Sequence, residues 1–375
     1  MQSSLLYAHI GDLHLTGSKE QNYKDLLSII ADIETCCADK IDMVYLPGDN
    51  ADHAEVHSYH LLRTAKKMLS VPVYAISGDH DMEQGNLDNF HLMLVTEQIP
   101  YAVDIHHTKC LFLDICGNGN GGPDFRLGEK QLVWLRNEID TAVYRQQPIA
   151  LFMHSFPDDL KEEEEKNTLN NLIAENSIVL VDMGHTHYNE ISNDGHTIYT
   201  ATRSTGQIEE GPVGYSVVSV HENVVSWRFK LLDEPFPFVM ITYPGDHHLA
   251  TDQWQDGVME EVNAVVMADK GITKVLCAVN NSEWMPMSYC ERKKCWILSG
   301  INITSGDRIT VKATDETGRP GIHTIQYAAS EKRETGNLKP GSDDFRIDAW
   351  PENHVFGTQL GPNRNAKPAQ PKHHK

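Results

Sequence analysis

What most constrains the fold is one transition repeated along the first 233 residues. Short apolar, β-branched runs end in glycine, aspartate or histidine, and most are followed by a longer amphipathic stretch. Strand candidates lie at 5–10, 43–46, 71–77, 110–115, 149–154 and 178–183, with helical patterns at 23–37, 54–69, 87–96, 128–143 and 160–175. Strand and helix in alternation predict a layered α/β domain. Runs at 197–202, 214–220 and 224–231 then follow without helices, and are expected to add antiparallel sheet.

The pattern changes at Asp233, where Pro235 and Pro237 close the helix-rich part. Proline punctuation of this kind reads as a domain junction. Beyond it come short strand-like runs at 238–243, 272–279, 285–288, 294–297, 307–313 and 323–328, with one helical-looking stretch at 253–267. They predict a small β-sandwich with Trp284 and Trp296 in its core. From 331 onward Gly, Pro, Asn and charge dominate, so a flexible tail is expected, with a fold-back left open for 357–365. The expected organisation is therefore 1–233, 234–330 and 331–375.

Composition narrows the class. With 32 Lys and Arg against 53 Asp and Glu, the formal charge is -21, and 40% of residues are hydrophobic. Such a chain has material for cores and repels nucleic acid and anionic membrane. A bound metal can still reverse the field locally for a small anionic substrate. No run is long enough for a membrane span, and the first strand begins without a basic flank or cleavage signal. Seven cysteines without a CxxC pair read as free thiols in a reducing cytoplasm, with Cys290 and Cys295 able to close a small loop.

The chemistry gathers at the strand ends. The first strand runs into Asp12-Leu13-His14, the second into Gly48-Asp49-Asn50 and the third into Gly78-Asp79-His80-Asp81. The strand at 149 ends in His154, and that at 178 in Gly184-His185-Thr186-His187. Ligands of open α/β sheets bind at carboxyl ends of strands. Carboxylate oxygen with imidazole nitrogen suits Mn, Fe or Zn, and the absence of cysteine points away from a structural zinc. Asp12/His14 and His185/His187, spaced by two, can each face one side. Gly48, Gly78 and Gly184 are expected to let the backbone turn beside them. Each motif alone is a common turn or loop; five in order, each after a strand, point to a two-metal site.

This order resembles the calcineurin-like metallophosphoesterases, whose pattern is D-x-H, G-D, G-N-H-[DE], H and G-H-x-H. Among them it is most similar to bacterial class III cyclic-nucleotide and glycerophosphodiester phosphodiesterases. The resemblance spans about 5–232 and implies a four-layer α/β/β/α sandwich, with an immunoglobulin-like module behind it. It implies Asp12, His14, Asp49 and His187 as ligands of one metal, with Asp49 bridging, and Asp79, His154 and His185 as ligands of the second. His80 corresponds to the histidine that contacts the scissile phosphate, and Asp81 to the acid that orients it. One position departs: Asp79 stands where the family has asparagine. The implied cofactors are two divalent or mixed-valence ions (Mn, Fe, Zn or Co), and the implied nucleophile is a metal-bound hydroxide.

The remaining features have plainer readings. Gly117–Gly122 fits GxGxxG, but Pro123 follows instead of a helix start, so it reads as a rim loop. The acidic run around Asp158 and Glu162–Glu165 reads as a solvated helix start. His53, His57, His60 and His91 are expected at the rim or on helix surfaces, with His53 or His57 the candidates to touch substrate. His106-His107 and His247-His248 read as surface pairs, and His196 as a strand residue near the site. The leading function is a phosphodiesterase acting on a small cytosolic ester. A phosphomonoesterase, a nuclease, or a scaffold with a silent metal site are the alternatives, and the acidic charge counts against the nuclease.

Overall fold

The computed structural model describes residues 4–94, 98–116, 124–254, 257–280, 282–328 and 345–356. Two sheets face each other at its centre. In the first, the order is Val224–Leu231, Gly214–His221, Leu5–His9, Met43–Leu46, Val73–Ala75. Leu5–His9, Met43–Leu46 and Val73–Ala75 run parallel, and the other two strands are antiparallel. In the second, Thr108–Phe112, Ile149–Phe152, Ile178–Met183 and Ile198–Ala201 run parallel. Tyr101–Ile105 and Glu190–Asn193 close its two edges antiparallel.

Helices cover the outer faces because their apolar residues recur at helical spacing. Gln21–Cys36 buries Leu26, Ile29, Ile30 and Ile33, and Glu129–Tyr144 buries Leu135, Ile139 and Ala142. Helix, sheet, sheet and helix make the four-layer order expected above. Strands covered on both faces lose the alternation of a half-exposed strand, and every residue of Ile178–Met183 is buried.

The sheets meet through aromatic rings: Tyr45 against Phe152 at 4.7 Å between centroids, and Tyr7 against Phe152 at 5.6 Å. Between them lies a buried carboxylate, Asp182. It accepts from the Tyr7 hydroxyl at 2.6 Å and the Thr200 hydroxyl at 2.8 Å, and His9 Nδ1 stands 3.0 Å away. Burial, then the Asp182 charge, raises the Tyr7 pKa well above its ordinary value, so this phenol stays a donor.

Among the described residues past 237, the regular structure is two four-stranded antiparallel sheets with short 3-10 turns. One holds Phe238–Tyr243, Met259–Met267, Cys295–Ile303 and Ser288–Cys290; the other holds Met285–Pro286, Ile272–Val279, Arg308–Asp315 and Pro320–Gln326. The helix expected at 253–267 is instead strand Met259–Met267, with a register shift between Met259 and Glu261. Its last six residues are all buried, so no alternation marks it as a strand. Trp284, expected in the sandwich core, is 46% exposed, while Trp296 packs against that core.

The C-terminal segment is described over 345–356, and there it is packed. Ile347 donates its N–H to the Ile191 carbonyl at 3.0 Å, extending the second sheet's edge. Ile347, Trp350 and Val355 join the main core, and Trp350 stacks on His248 with centroids 4.6 Å apart. That corrects the flexible tail for these residues, and moves His248 from a surface pair into a packed junction. The stretch 357–365 and the loop 117–122 lie outside the described residues. No helix among the described residues is long and apolar enough to cross a membrane.

Candidate metal centre and active site

Nine residues singled out in the sequence end at one edge, where both sheets present the carboxyl ends of their parallel strands. Asp12, His14, Asp49, Asp79, His80 and Asp81 come from the first sheet, and His154, His185 and His187 from the second. His14, Asp49, His185 and His187 adopt left-handed backbone, with φ of 42°, 48°, 68° and 64°. Such conformations cost energy for residues with a Cβ and concentrate at functional sites.

The glycines serve two different ends. Gly48 has φ +112° and makes the turn that brings Asp49 round. Gly78 supplies space, since a Cβ there would sit 2.2 Å from Asp49 Oδ1. Gly184 also gives room, here to Asp12, and is not among the left-handed glycines.

Two donor groups share Asp49. Asp49, Asp79, His154 and His185 form one, and His14, Asp49 and His187 the other. In the first, Asp79 Oδ1 lies 3.1 Å from both His154 Nε2 and His185 Nδ1, and Asp49 Oδ1 lies 3.5 Å from His154 Nε2. In the second, His14 Nε2 lies 3.1 Å from His187 Nε2 and 3.6 Å from Asp49 Oδ2. Asp12 stands beside these groups: its carboxylate accepts from the His185 N–H at 3.1 Å. Asp12, His14, Asp49 and His154 are buried; Asp79, His80, His185 and His187 are partly open and form the mouth.

The donor set fits divalent cations. His154 Nδ1 lies 2.8 Å from the Pro47 carbonyl, which fixes that nitrogen as the N–H and turns the Nε2 lone pair toward Asp49 and Asp79. His14 and His187 aim ring nitrogens at each other, an arrangement that a cation between them satisfies. The ion-pair partners of Asp49, Asp52, Asp79 and Glu83 among the described residues are all histidines. Burial works against the Asp79 charge, but hydrogen bonds from His154 and His185 outweigh it and hold the pKa far below the usual carboxylate range.

His80 lies on the open side, its ring 4.6 Å from that of His14 between centroids. The acid assigned to it changes. Asp81 is fully buried and accepts from the Tyr59 hydroxyl at 2.6 Å, the Asn50 amide at 2.9 Å and the Gly78 N–H at 3.0 Å. It braces the two metal-bearing loops and is not the residue beside His80. Burial and the nearby Asp49 push its pKa up to about 6. The acids facing His80 Nδ1 are Glu83 at 2.7 Å and Asp52 at 3.0 Å. His53 also meets Glu83, at 2.5 Å, and is exposed at this rim. His196 is not near the site: it reaches Asp252 and the Asn176 carbonyl, at the opposite end of its sheet.

Three further residues shape the site without a motif to announce them. Asn22 donates to the His14 carbonyl at 2.7 Å, Gln207 places its amide 3.2 Å from His14 Nδ1, and Phe125 packs edge-on to His185 at 5.2 Å. Asn22 and Phe125 stand in segments with no distinguishing pattern, and Gln207 follows the strand Ile198–Ala201 by six residues. Their roles exist only in the folded chain.

Residues 5–189 match the family described as Calcineurin-like phosphoesterase. A curated protein of Arcobacter nitrofigilis, named as a probable glycerophosphodiester phosphodiesterase GpdQ, is 28% identical over 172 residues. That match covers 41% of this chain and 58% of the relative's length. Among solved structures, a dimetal phosphatase from Danio rerio aligns with TM-score 0.49 and 11% identity, covering 62% of this chain and 98% of that one. The purple acid phosphatase PPD1 of yellow lupin (Lupinus luteus) aligns with TM-score 0.49 and 15% identity, covering 62% of this chain and 52% of that one.

Proposed function

We propose that this chain, whose residues 5–189 match the calcineurin-like phosphoesterase family, carries a metallophosphoesterase core and is a dinuclear metal-dependent phosphodiesterase of small substrates. The observation that carries this reading is Asp49, one carboxylate common to both donor groups. His14 and His187 would hold one ion with Asp49, with Asp12 beside them. Asp79, His154 and His185 would hold the other. Two such ions, of Mn, Fe, Zn or Co, would supply Lewis-acid polarisation of the phosphoryl group and an activated water.

The chain's own residues do the rest. His154, its Nδ1 fixed on Pro47, keeps one nitrogen directed at the centre. With His80 Nδ1 facing Asp52 and Glu83, Nε2 is the nitrogen left to meet substrate. There it donates to a phosphoryl oxygen or hands a proton to the departing alkoxide. Asp52 and Glu83, within ion-pair distance of Nδ1, act as positioning residues for the ring.

The preference for a diester rests on charge. Asp52, Asp79 and Glu83 line the open side, and Glu209 lies 3.6 Å from His187. A singly charged diester meets less repulsion there than a dianionic monoester. The name of the Arcobacter relative supports the same class. The phosphomonoesterase and nuclease readings are weaker on the same ground, and a silent scaffold would have no need of His80 at the open side of the donor groups. A cytoplasmic setting accords with the free cysteines, Cys36, Cys37, Cys110, Cys116, Cys277, Cys290 and Cys295. The change from mixed to all-β structure between Leu231 and Phe238 supports a boundary near Asp233, and the paired antiparallel sheets support an immunoglobulin-like module behind it.

A panel of diesters and monoesters, assayed with defined Mn, Fe, Zn and Co loading, tests the reading. Diester turnover should need two metals per chain, and Asp49→Ala should lose both ions and activity together. Two metals retained in Asp49→Ala would sink the bridging role, and monoester turnover above diester turnover would sink the substrate class.

A further inference from the structure

We infer that the junction between the first sheet and the all-β unit is a second phosphate-binding site, away from the metal centre. A cavity of about 50 Å³ lies there, with Leu6 at one wall. Asp12 is six residues further along extended chain, roughly 20 Å away at about 3.3 Å per residue. The volume suits one tetrahedral oxyanion or a few waters.

Its lining inverts the charge of the protein. Lys40, Arg292, Lys293 and Lys294 surround it, in a chain whose formal charge is -21. Asp42 is the one acidic residue in the lining. Its oxygens are already engaged, one by the Leu6 N–H at 2.9 Å and the other by His106 at 2.8 Å. Lys40 has Asp39 at 2.7 Å and Lys293 has Glu261 at 3.1 Å. Lys40 and Lys293 can contact both their acid and an anion, because an ammonium has three donors.

Two buried polar atoms on the wall have no protein partner. Ser219 Oγ and Asn263 Oδ1 are unsatisfied, in residues 1% and 3% exposed. Leaving such atoms unpaired is costly, so a ligand or water is expected against them. They ask for different things. The Ser219 hydroxyl can donate, whereas Asn263 Oδ1 can only accept, its amide hydrogens being turned to Glu261. Hydrogen phosphate answers both, with bare oxygens for Ser219 and the lysines and a P–OH for Asn263. Sulfate has no O–H and leaves Asn263 unpaired. The ligand class is therefore a phosphoryl group carrying a proton, as inorganic phosphate or the head of a monoester.

Calorimetric titration of the full chain with inorganic phosphate tests this, beside the double variant Lys40→Gln/Lys294→Gln. Both lysines are outside the catalytic site, so diester turnover should stay within about twofold. Wild type should show a phosphate class that weakens at least tenfold in the double variant. Sulfate should bind that class about tenfold less tightly than phosphate, the scale of one buried acceptor left unpaired. Asn263→Leu should erase that discrimination, and Lys40→Arg/Lys294→Arg should keep phosphate affinity. Identical phosphate isotherms in wild type and the Gln variant, or equal affinity for phosphate and sulfate, would overturn the site and leave water as the occupant. A monoester that competes with phosphate identifies the head-group source; one that does not identifies the free ion.

Discussion

Removing the charge of Asp79 should shift the proposed phosphodiesterase toward monoesters. Asp79 Oδ1 sits 3.1 Å from both His154 Nε2 and His185 Nδ1, at the partly open mouth of the centre. Asp79→Asn keeps the side chain's shape and one acceptor oxygen while deleting a unit of negative charge. A monoester dianion carries one more unit than a diester anion, so it gains one extra pairwise term. At about 4 Å and an effective dielectric near 20 that term is about 4 kcal/mol. Solvent at a site one-quarter exposed, together with counter-ions, reduces it to about 1–2 kcal/mol, or roughly 5–30-fold in the ratio of rates. The assay is kcat/KM for p-nitrophenyl phosphate and bis(p-nitrophenyl) phosphate, in both forms, with metal content matched by elemental analysis. The monoester-to-diester ratio should rise in the variant. An unchanged ratio at equal divalent loading would refute the electrostatic reasoning and leave Asp79 as a ligand without influence on substrate charge.

His80→Ala should keep its metals and lose about 10²–10⁴-fold in turnover, the scale of an acid–base group; loss of metal with activity would show that His80 is a ligand. Trp350→Ala should cost about 3–5 kcal/mol, because Trp350 is 8% exposed against the core, and an unmoved denaturation midpoint would contradict its packing. A fragment ending at residue 233 lacks the segment 345–356 that covers the Ile191 edge, so it should unfold at lower denaturant than the full chain; an equal midpoint would show that the cover adds nothing. His323 is buried with Nδ1 accepting the Ile241 N–H at 3.0 Å, and burial, then Arg228, hold its pKa well below 6.5. The unfolded chain therefore takes up a proton below about pH 6.5 that the folded chain refuses, and stability is lost as pH falls, by up to about 1.4 kcal/mol per unit. His323→Gln should flatten the pH dependence of the denaturation midpoint by one proton, and an identical slope would refute the assignment.

The candidate ligands were legible because each sits in a local sentence of sequence: an apolar run, a glycine or a loop, then the donor. His154 and His187 needed only that order to be found. Asp52 and Glu83 were not legible, since their meeting with His80 depends on how the loop after Asp49 lies against the turn after His80. Asp81 was misassigned for the same reason: adjacency in sequence says nothing about direction, and its side chain turns inward to Tyr59 and Asn50. Strand Glu190–Asn193 is hard to read from sequence because three of its four residues are polar yet all four are buried, Asn193 Nδ2 donating to the carbonyls of His248 and Ala250. The segment 345–356 reads as tail by composition, and only its few large residues, Phe345, Ile347, Trp350 and Val355, seat it on the core.

The Asp182 carboxylate, clasped by Tyr7 and Thr200 between the sheets, has a consequence for how this protein comes apart. Asp49 belongs to one sheet and His154 to the other, so neither half owns a complete set of donors. Metals held as proposed would thus be a seam as well as a reagent. A chelator that strips them would remove cross-links between two half-molecules, and a denaturant that separates the sheets would release the ions in the same event. The release of metal into a colorimetric dye, followed in time, would accordingly be a clock for the parting of the two sheets. It can be read without labelling any residue.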